Sequence, residues 1–420
     1  MIISYNFAMK KVAIIGAGAA GLTASVILAR NNIKVDLFEQ NTKNGKKILV
    51  SGNGHCNITN KFVSKSNYFS ENLSFIEPTL KRFGYHELER FMNSIGILFS
   101  AKEDGRTFPL SYEAKSVVTA FEEALSLLDV TVFNECKIQS IQKEKNFTLT
   151  CKDKTYTDYD AVIVATGLLA YPQLGGNEDG LKFASAFGHT LIPTYPSLVG
   201  LHLHSSLHEE LCGVKIDGEV TIYVDGLKEK TMQGDLLFTK YGISGLAIFD
   251  ISQIASQALV NFQNVEISLN LLRDFNAQSL SAQILNLCKT LPENKTSTVL
   301  GAILPAKLVS VILKETRIDP NAKALHVNTK MVKTLINKLQ NWKFKVTDTH
   351  GFSHAEVCGG GINTLEIDEK TFESKKTKNL YFVGEVLDVL GERGGYNFQF
   401  AFASGVLCAE AIAKNFSLKK

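Results

Sequence analysis

Disulfide and metal-site signatures are missing from this 420-residue chain. Its seven cysteines, at 56, 136, 151, 212, 288, 358 and 408, include no C-x-x-C and no metal-ligand spacing. An odd, scattered set argues against a disulfide framework and for a reducing, cytoplasmic setting. The nine histidines form no H-E-x-x-H cluster. His202 and His204 alternate along an apparent strand, share a face and read as surface or barrel residues, so no metal ligand set is expected. Lys and Arg form no long block and the net charge is only +3, so composition gives no reason to expect a nucleic-acid partner. Internal repeats and low-complexity tracts are also absent. The chain is 45% apolar and 21% charged, ordinary for a soluble globular protein, and long enough for two or three domains. Met9 precedes Lys10-Lys11 and reads as a candidate true start, in which case residues 1–8 are an unstructured extension.

The richest stretch is 11–39, KVAIIGAGAAGLTASVILARNNIKVDLFE. A short apolar run at 12–15 has the length of a buried parallel strand. Gly16, Gly18 and Gly21 follow in G-x-G-x-x-G spacing, and a helix is expected from about 20 to 30. A second strand at 35–38 ends at Glu39. The order strand, glycine turn, helix, strand, acid is the context a dinucleotide site requires; a lone triplet is weak. Gly16 permits the tight turn, Gly18 lets backbone approach a pyrophosphate, and Gly21 lets helix pack on strand. The helix start offers free N–H groups and partial positive charge to phosphates, and Glu39 can accept hydrogen bonds from ribose hydroxyls. A signal peptide or membrane span over 12–29 is the rival. That run is barely long enough, carries three helix-weakening glycines and leads into a charged, alternating strand.

Residues 44–60, NGKKILVSGNGHCNITN, read as a loop rich in Gly, Asn and Ser. Ser51, Gly52, Asn53 and Gly54 can form a nest of N–H groups, and Lys46 or Lys47 can neutralise a phosphate; a solvated loop is the plain alternative. Segments 74–82, 86–93 and 112–128 have helical spacing. The turn between them carries Arg106, either an ordinary surface arginine or an anion contact. Segments 130–133, 136–141, 147–151 and 154–156 read as one antiparallel meander. Then comes an apolar strand ending in Ala165-Thr166-Gly167. After a Gly-rich exit at 171–200, short alternating strands to 270 suggest a barrel or sandwich. Helical spacing returns over 271–339, broken by Pro292 and Pro305, and 343–346 is again strand. Near the C-terminus a strand ends at Gly384-Glu385. A loop with Gly391, Gly394 and Gly395 leads into a helix beginning near Tyr396, apolar nearly all round and therefore buried. Gly-Gly before a helix start invites close approach of a planar ligand; a packing helix with a glycine hinge is the alternative.

With both ends read, the chain resembles the BaiN-like, aminoacetone-oxidase-like family of FAD-dependent oxidoreductases within the two-dinucleotide-binding flavoproteins. The resemblance covers nearly the whole chain. It rests on IIGAGAAG (14–21), GKKILVSGNGHCNITN (45–60), GRTFP (105–109), ATG (165–167), GHTLIPTYPSLVGL (188–201), GDLLFTKYGISGLAIFDIS (234–252), GGG (359–361), TFESK (371–375) and GEVLDVLGERGGYNFQFAFASG (384–405). It implies an α/β fold: a Rossmann-like FAD-binding domain split in sequence, with inserted β-barrel and small helical domains. The boundaries expected are 1–192 and 343–420 for the FAD domain, 193–270 for the barrel and 271–342 for the helices. Gly16, Gly18, Ala19, Ala20 and Gly21 match the pyrophosphate turn, and Glu39 with Gln40 the ribose end. Lys47, Ser51, Gly52, Cys56 and Asn57 match a second loop near the cofactor. Cys136, Lys137 and Ile138 sit where backbone borders the adenine. Ala165, Thr166 and Gly167 line the cofactor, and Gly384, Glu385, Gly395, Tyr396 and Asn397 match the flavin end. Two loops depart from the family pattern: GGNEDG at 175–180 and Cys358 before the triple glycine. Both could face flavin or substrate, so the resemblance carries no substrate identity with it.

The expected activity is hydride transfer between a small organic substrate and FAD. NAD(P)H as a transient donor, or oxygen as acceptor, would complete the cycle. No second G-x-G-x-x-G opens a helix, so a dedicated nicotinamide domain is not expected. Tyr396, Asn397, Tyr171 and Arg106 are the candidates for substrate positioning; no acid/base dyad stands out. Two other classes remain in view: a flavin-dependent RNA-modifying enzyme with a basic face in 271–345, and a non-catalytic FAD-binding redox sensor using Cys56 or Cys358. Either thiol could equally be buried and inert.

Overall fold

The computed structural model describes residues 9–152 and 154–418, so the expected extension at 1–8 lies outside the described residues. Two units emerge, one formed by the chain up to Thr194 and again from Val357, the other by Tyr195–Glu356.

The first unit is built on a five-stranded parallel sheet. β1 is Lys11–Ile15 and β2 is Lys34–Phe38. The spatial order is Leu380–Phe382, Ala161–Val164, β1, β2 and Thr131–Phe133, each neighbouring pair parallel. Ala161–Val164 and Leu380–Phe382 are buried throughout, as strands covered on both faces must be. The chain thus supplies one edge strand from its last fifth and the opposite edge from residue 131. Asp36, in β2, is nearly fully buried yet satisfied: Tyr159 donates to it at 2.7 Å and Lys11 pairs with it at 2.9 Å. Helix α1, Ala19–Arg30, follows the glycine turn, so the 12–29 run is strand, turn and helix. No helix among the described residues is long and apolar enough to cross a membrane.

The meander is smaller than expected. Only Ser140–Lys143, Phe147–Cys151 and Lys154–Tyr159 form it. Thr131–Phe133 joins the parallel sheet instead, because its partner β2 is a buried strand with a free edge. Cys136 to Ile138 are not strand; the Cys136 N–H is drawn to the Glu39 carbonyl at 2.9 Å. The 44–60 loop also contains more order than its composition suggests. α2, Lys46–Gly54, begins helical and kinks where Ser51, Gly52 and Asn53 leave helical geometry.

The second unit is a closed barrel whose neighbours run Leu201–Leu203, Gly242–Ser244, Leu227–Phe238, Lys215–Val224, Val265–Asn270 and Trp342–Thr349. Burial alternates along Trp342–Thr349, inward on Trp342, Phe344 and Val346. That strand pairs with Leu201–Leu203 and Val265–Asn270 and so closes the barrel, although a boundary was expected at 342/343. The helices Ala277–Thr290, Ala306–Thr316 and Thr329–Gln340 share one hydrophobic core with it, since Ile284, Ile312 and Leu339 belong to the cluster that holds Phe238 and Trp342. The barrel and helical segments, read from sequence as two insertions, therefore pack as one body over Tyr195–Glu356.

Candidate functional site

The glycine turn after β1 shows which of its three glycines serve packing. A Cβ on Gly16 would lie 2.5 Å from the Ala165 carbonyl oxygen, and one on Gly21 1.9 Å from the Gly16 oxygen. Both positions exclude side chains because backbone occupies the space. Gly18 differs: a Cβ there would meet nothing within 4 Å, and its φ of −84° is ordinary. Its backbone borders open space at the first turn of α1, where Ala19 and Ala20 keep the surface low. Unpaired N–H groups at a helix start facing open space fit a pyrophosphate.

Glu39 directly follows β2 and is 7% exposed. Its Oε2 accepts the Ala17 N–H at 2.9 Å, and its Oε1 accepts the Asn41 backbone N–H at 2.8 Å and the Asn41 side-chain amide at 2.7 Å. The carboxylate is therefore fixed against the turn, with lone pairs left for hydroxyl donors. Asn41 was not foreseen; it also receives Lys46 Nζ at 2.9 Å. The start of the loop GGNEDG, expected to face flavin or substrate, reaches this end: Gln40 donates to the Gly175 carbonyl, as does Asn177. Asp179 of the same loop pairs with Lys137 at 2.8 Å, beside Cys136 and Ile138.

A second cluster joins residues far apart in sequence. Lys47 Nζ pairs with Glu385 Oε2 at 2.9 Å, and Glu385 Oε1 accepts the Cys358 N–H at 3.0 Å. A Cβ on Gly167 would lie 3.1 Å from Glu385 Oε2 and 3.8 Å from Lys47 Nζ. Thr166 meets Gly180, whose Cβ would come within 2.2 Å of Thr166 Oγ1. A Cβ on Gly384 would stand 3.2 Å from Ala20 Cβ, so the C-terminal turn touches the first turn of α1. The structure thus brings Lys47, Gly167, Glu385, Cys358 and Ala20 into one neighbourhood.

The Gly-Gly turn before the helix Tyr396–Ser417 is close-packed on its Cβ side, as the packing alternative expects. Gly395 has φ of +100°, and a Cβ on it would strike the Thr59 backbone at 2.5 Å. On the side where a side chain would sit, Gly395 is met by the Thr59 backbone. Thr59 Oγ1 donates to Gln399 Oε1 at 2.6 Å and Gln399 Nε2 donates to the Phe83 carbonyl at 3.0 Å, a buried latch the sequence reading missed. Asn397 has both amide atoms engaged: Oδ1 accepts the Gly391 N–H and Nδ2 donates to the Gly391 carbonyl, both at 2.8 Å. It shapes the turn rather than presenting a free amide. Burial raises the Tyr396 phenol, with Glu392 and Asp104 adding to it, so the group stays protonated and neutral. Arg106 pairs with Asp104 at 2.7 Å. Tyr171 is an αL residue at φ of +50°, opening the turn Pro172–Leu174.

Ser51 donates to the Ile48 carbonyl at 2.7 Å, and Asn57 Oδ1 accepts the Thr107 N–H at 3.1 Å. Gly52, at φ of +55°, packs on the Asn57 backbone. Cys56 is fully buried and its thiol is pushed up to about 12 by that burial, partly offset by Ser51. Burial, with Glu385 beside it, likewise raises Cys358. Neither is a thiolate at neutral pH, which weakens the redox-sensor alternative. In the second unit His202 contacts His350 at 3.0 Å.

Comparison with known proteins places these features in a family. A family model described as HI0933-like protein Rossmann domain matches residues 10–411. A 3-dehydro-bile acid delta(4,6)-reductase of Clostridium scindens is 32% identical over 97% of this chain and 100% of the relative. A ribosomal RNA dihydrouridine synthase of Escherichia coli is 34% identical over 95% of this chain and 97% of the relative. Among solved structures, a 3-ketosteroid delta1-dehydrogenase from Sterolibacterium denitrificans aligns with a TM-score of 0.50 at 11% identity, covering 97% of this chain and 100% of that one. This last likeness concerns the fold alone.

Proposed function

The chain belongs to the HI0933-like Rossmann family and is an FAD-dependent oxidoreductase, and from that premise we propose that it saturates a C=C bond conjugated to a carbonyl. The observation that carries the cofactor assignment is the open face of Gly18 beside a fixed Glu39, in the same unit as the Lys47–Glu385 pair. In this reading the turn at 16–21 and the start of α1 hold the pyrophosphate, Glu39 the ribose, and the backbone at 136–138 the adenine. Lys47, Gly167 and Glu385 border the flavin end. When bound, FAD supplies a two-electron carrier that takes electrons from a donor and passes them on as hydride.

The chain's own residues bind, orient and hold protons. The start of the C-terminal helix favours negative charge near it. The Tyr396 phenol, kept neutral by burial, can donate a hydrogen bond to a substrate carbonyl. Arg106 and Tyr171 stand as positioning candidates, Asn397 as a support of the turn.

The names of two relatives share one chemistry. The 4,6-diene of a 3-dehydro bile acid and the ring double bond of uridine are each conjugated to a carbonyl. Saturation of either delivers hydride to the carbon remote from the carbonyl and a proton to the carbon beside it, while the donor is oxidised by two electrons. We take NAD(P)H as that donor. A small conjugated ketone is the first reading of the substrate. A uracil in RNA is the second, supported by the E. coli relative and by the charge distribution described below. The test is anaerobic: the flavin-loaded protein is mixed with NADPH or NADH, then with a dienone steroid or a uridine-containing RNA. Bleaching by a donor, reoxidation by one acceptor and a product heavier by two hydrogens are expected. Failure of both nicotinamides to bleach the flavin would remove the donor assignment. Failure of both acceptors to reoxidise it would remove the reductase reading.

A further inference from the structure

The net charge of +3 hides a segregation. Residues 271–345 carry twelve Lys and Arg against four Asp and Glu, while the other 345 residues hold 33 against 38. The excess sits in the helical part of the second unit. There, Lys295 and Lys323 face each other across an antiparallel bridge. Thr296 N–H donates to the Ala322 carbonyl at 2.9 Å and Ala324 N–H to the Asn294 carbonyl at 2.8 Å, so the two lysines are fixed in place by their backbones. From Lys323 the chain passes through the turn Ala324–His326, with His326 exposed, into the helix Thr329–Gln340.

That helix buries Val332, Leu335, Ile336 and Leu339. It leaves Lys330, Lys333, Thr334 and Asn337 exposed, at the spacing of one stripe. Glu293 neutralises Lys323 at 2.6 Å and Glu315 neutralises Lys338 at 2.9 Å. Among the described residues no acidic side chain pairs with Lys295, Lys330 or Lys333. Several uncompensated cations with amide and hydroxyl groups between them, on a unit whose partner half is acidic overall, match an extended polyanion rather than a single small anion.

We propose that Lys330 and Lys333 of the Thr329–Gln340 helix, together with Lys295, dock the sugar-phosphate backbone of RNA. The proposal rests on the second substrate reading, a uracil in RNA. Lysines at these positions hold phosphates without reading sequence, so base selection belongs elsewhere.

The test uses the full-length, flavin-loaded protein and a fluorescein-labelled RNA hairpin with uridines in its loop. Affinity is measured across a salt series. Replacing three lysines together, Lys295→Glu, Lys330→Glu and Lys333→Glu, is expected to weaken hairpin binding by tenfold or more. It should also flatten the log–log salt slope by about two, given roughly 0.7–0.9 per neutralised phosphate. Flavin content and bleaching by the nicotinamide donor should not change. A Lys→Gln triple at the same positions gives a smaller effect in the same direction and serves if charge reversal disturbs folding. Unchanged affinity and slope in both triples would overturn the docking surface. So would equal loss of binding to a DNA hairpin of the same sequence and to phosphatidylglycerol vesicles, which would mark a general polyanion surface. Absence of donor bleaching or of reoxidation by either acceptor, with an intact lysine effect, would instead count against the donor assignment or the reductase reading and leave the docking surface standing.

Discussion

Two helices begin with glycines, one near each end of the chain, and they use them differently. At α1 the outer glycines are pressed on backbone and the middle one, Gly18, borders empty space. At Tyr396–Ser417 the glycine before the helix is itself pressed on Thr59, and Gly394 lies against the Tyr396 ring. A glycine records that something comes close, and only the fold shows whether that is a ligand or another stretch of chain. The same residue type therefore carries opposite expectations at Gly18 and Gly395.

The largest effects should come from the packed glycines. Gly395→Ala combines a positive φ with a 2.5 Å clash against Thr59, and Gly21→Ala a 1.9 Å clash against the Gly16 carbonyl. Each should lower unfolding free energy by roughly 3 kcal/mol in urea titrations. If Gly395→Ala unfolded like the parent and lost only FAD, the distinction between the two turns would fail. Gly18→Ala should do the reverse: a stability change within about 0.5 kcal/mol and FAD binding weaker by about tenfold, some 1.4 kcal/mol, read by flavin fluorescence titration. Lys47→Ala should come next. Its ion pair with Glu385 is partly exposed, so stability should fall by less than about 1 kcal/mol, while FAD retention on desalting falls measurably.

The smallest effect concerns how the two chain segments of this unit are joined. Glu366 accepts Thr190 N–H at 2.8 Å and Thr190 Oγ1 at 2.9 Å, and pairs with Lys376 at 2.7 Å. Burial pushes its carboxyl up, but Lys376 and Thr190 outweigh that and hold it down at about 2, from an ordinary 4.5. A depressed carboxylate stabilises the fold fully above about pH 4.5, and that contribution fades as pH falls towards 2. Glu366→Gln should therefore be less stable than the parent at pH 6, with the gap closing on acidification. A gap that stayed constant down to pH 2.5 would mean that packing, not charge, joins the segments.

Much of this was legible in the sequence because local rules and tertiary structure agree. The strand–glycine–helix–acid order at 11–39 forms its own context, and barrel alternation follows from a half-buried sheet. What escaped depended on contacts between distant residues. The edge strand Thr131–Phe133 looks like its meander neighbours until β2 offers an open edge. Asn397 looks like a substrate contact until Gly391 engages both its amide atoms. The Thr59–Gln399 latch spans 340 positions and leaves no local trace. GGNEDG points to Gln40 because the turn after Tyr171 folds back over β2's end, which spacing alone does not encode.

The split of the first unit has a temporal consequence. The strand Leu380–Phe382 pairs with Ala161–Val164, and Gly405 in the final helix is tucked so close to α1 that a Cβ would reach the Ala20 oxygen at 2.5 Å. During synthesis, the turn after β1 leaves the ribosome first and stays uncovered until Leu380–Phe382 and the helix Tyr396–Ser417 have followed it. Under the proposed cofactor site, flavin loading becomes a checkpoint on the meeting of the two segments: a nascent chain arrested before Leu380 should stay colourless, and yellow colour should report that the late strand has reached Ala161–Val164.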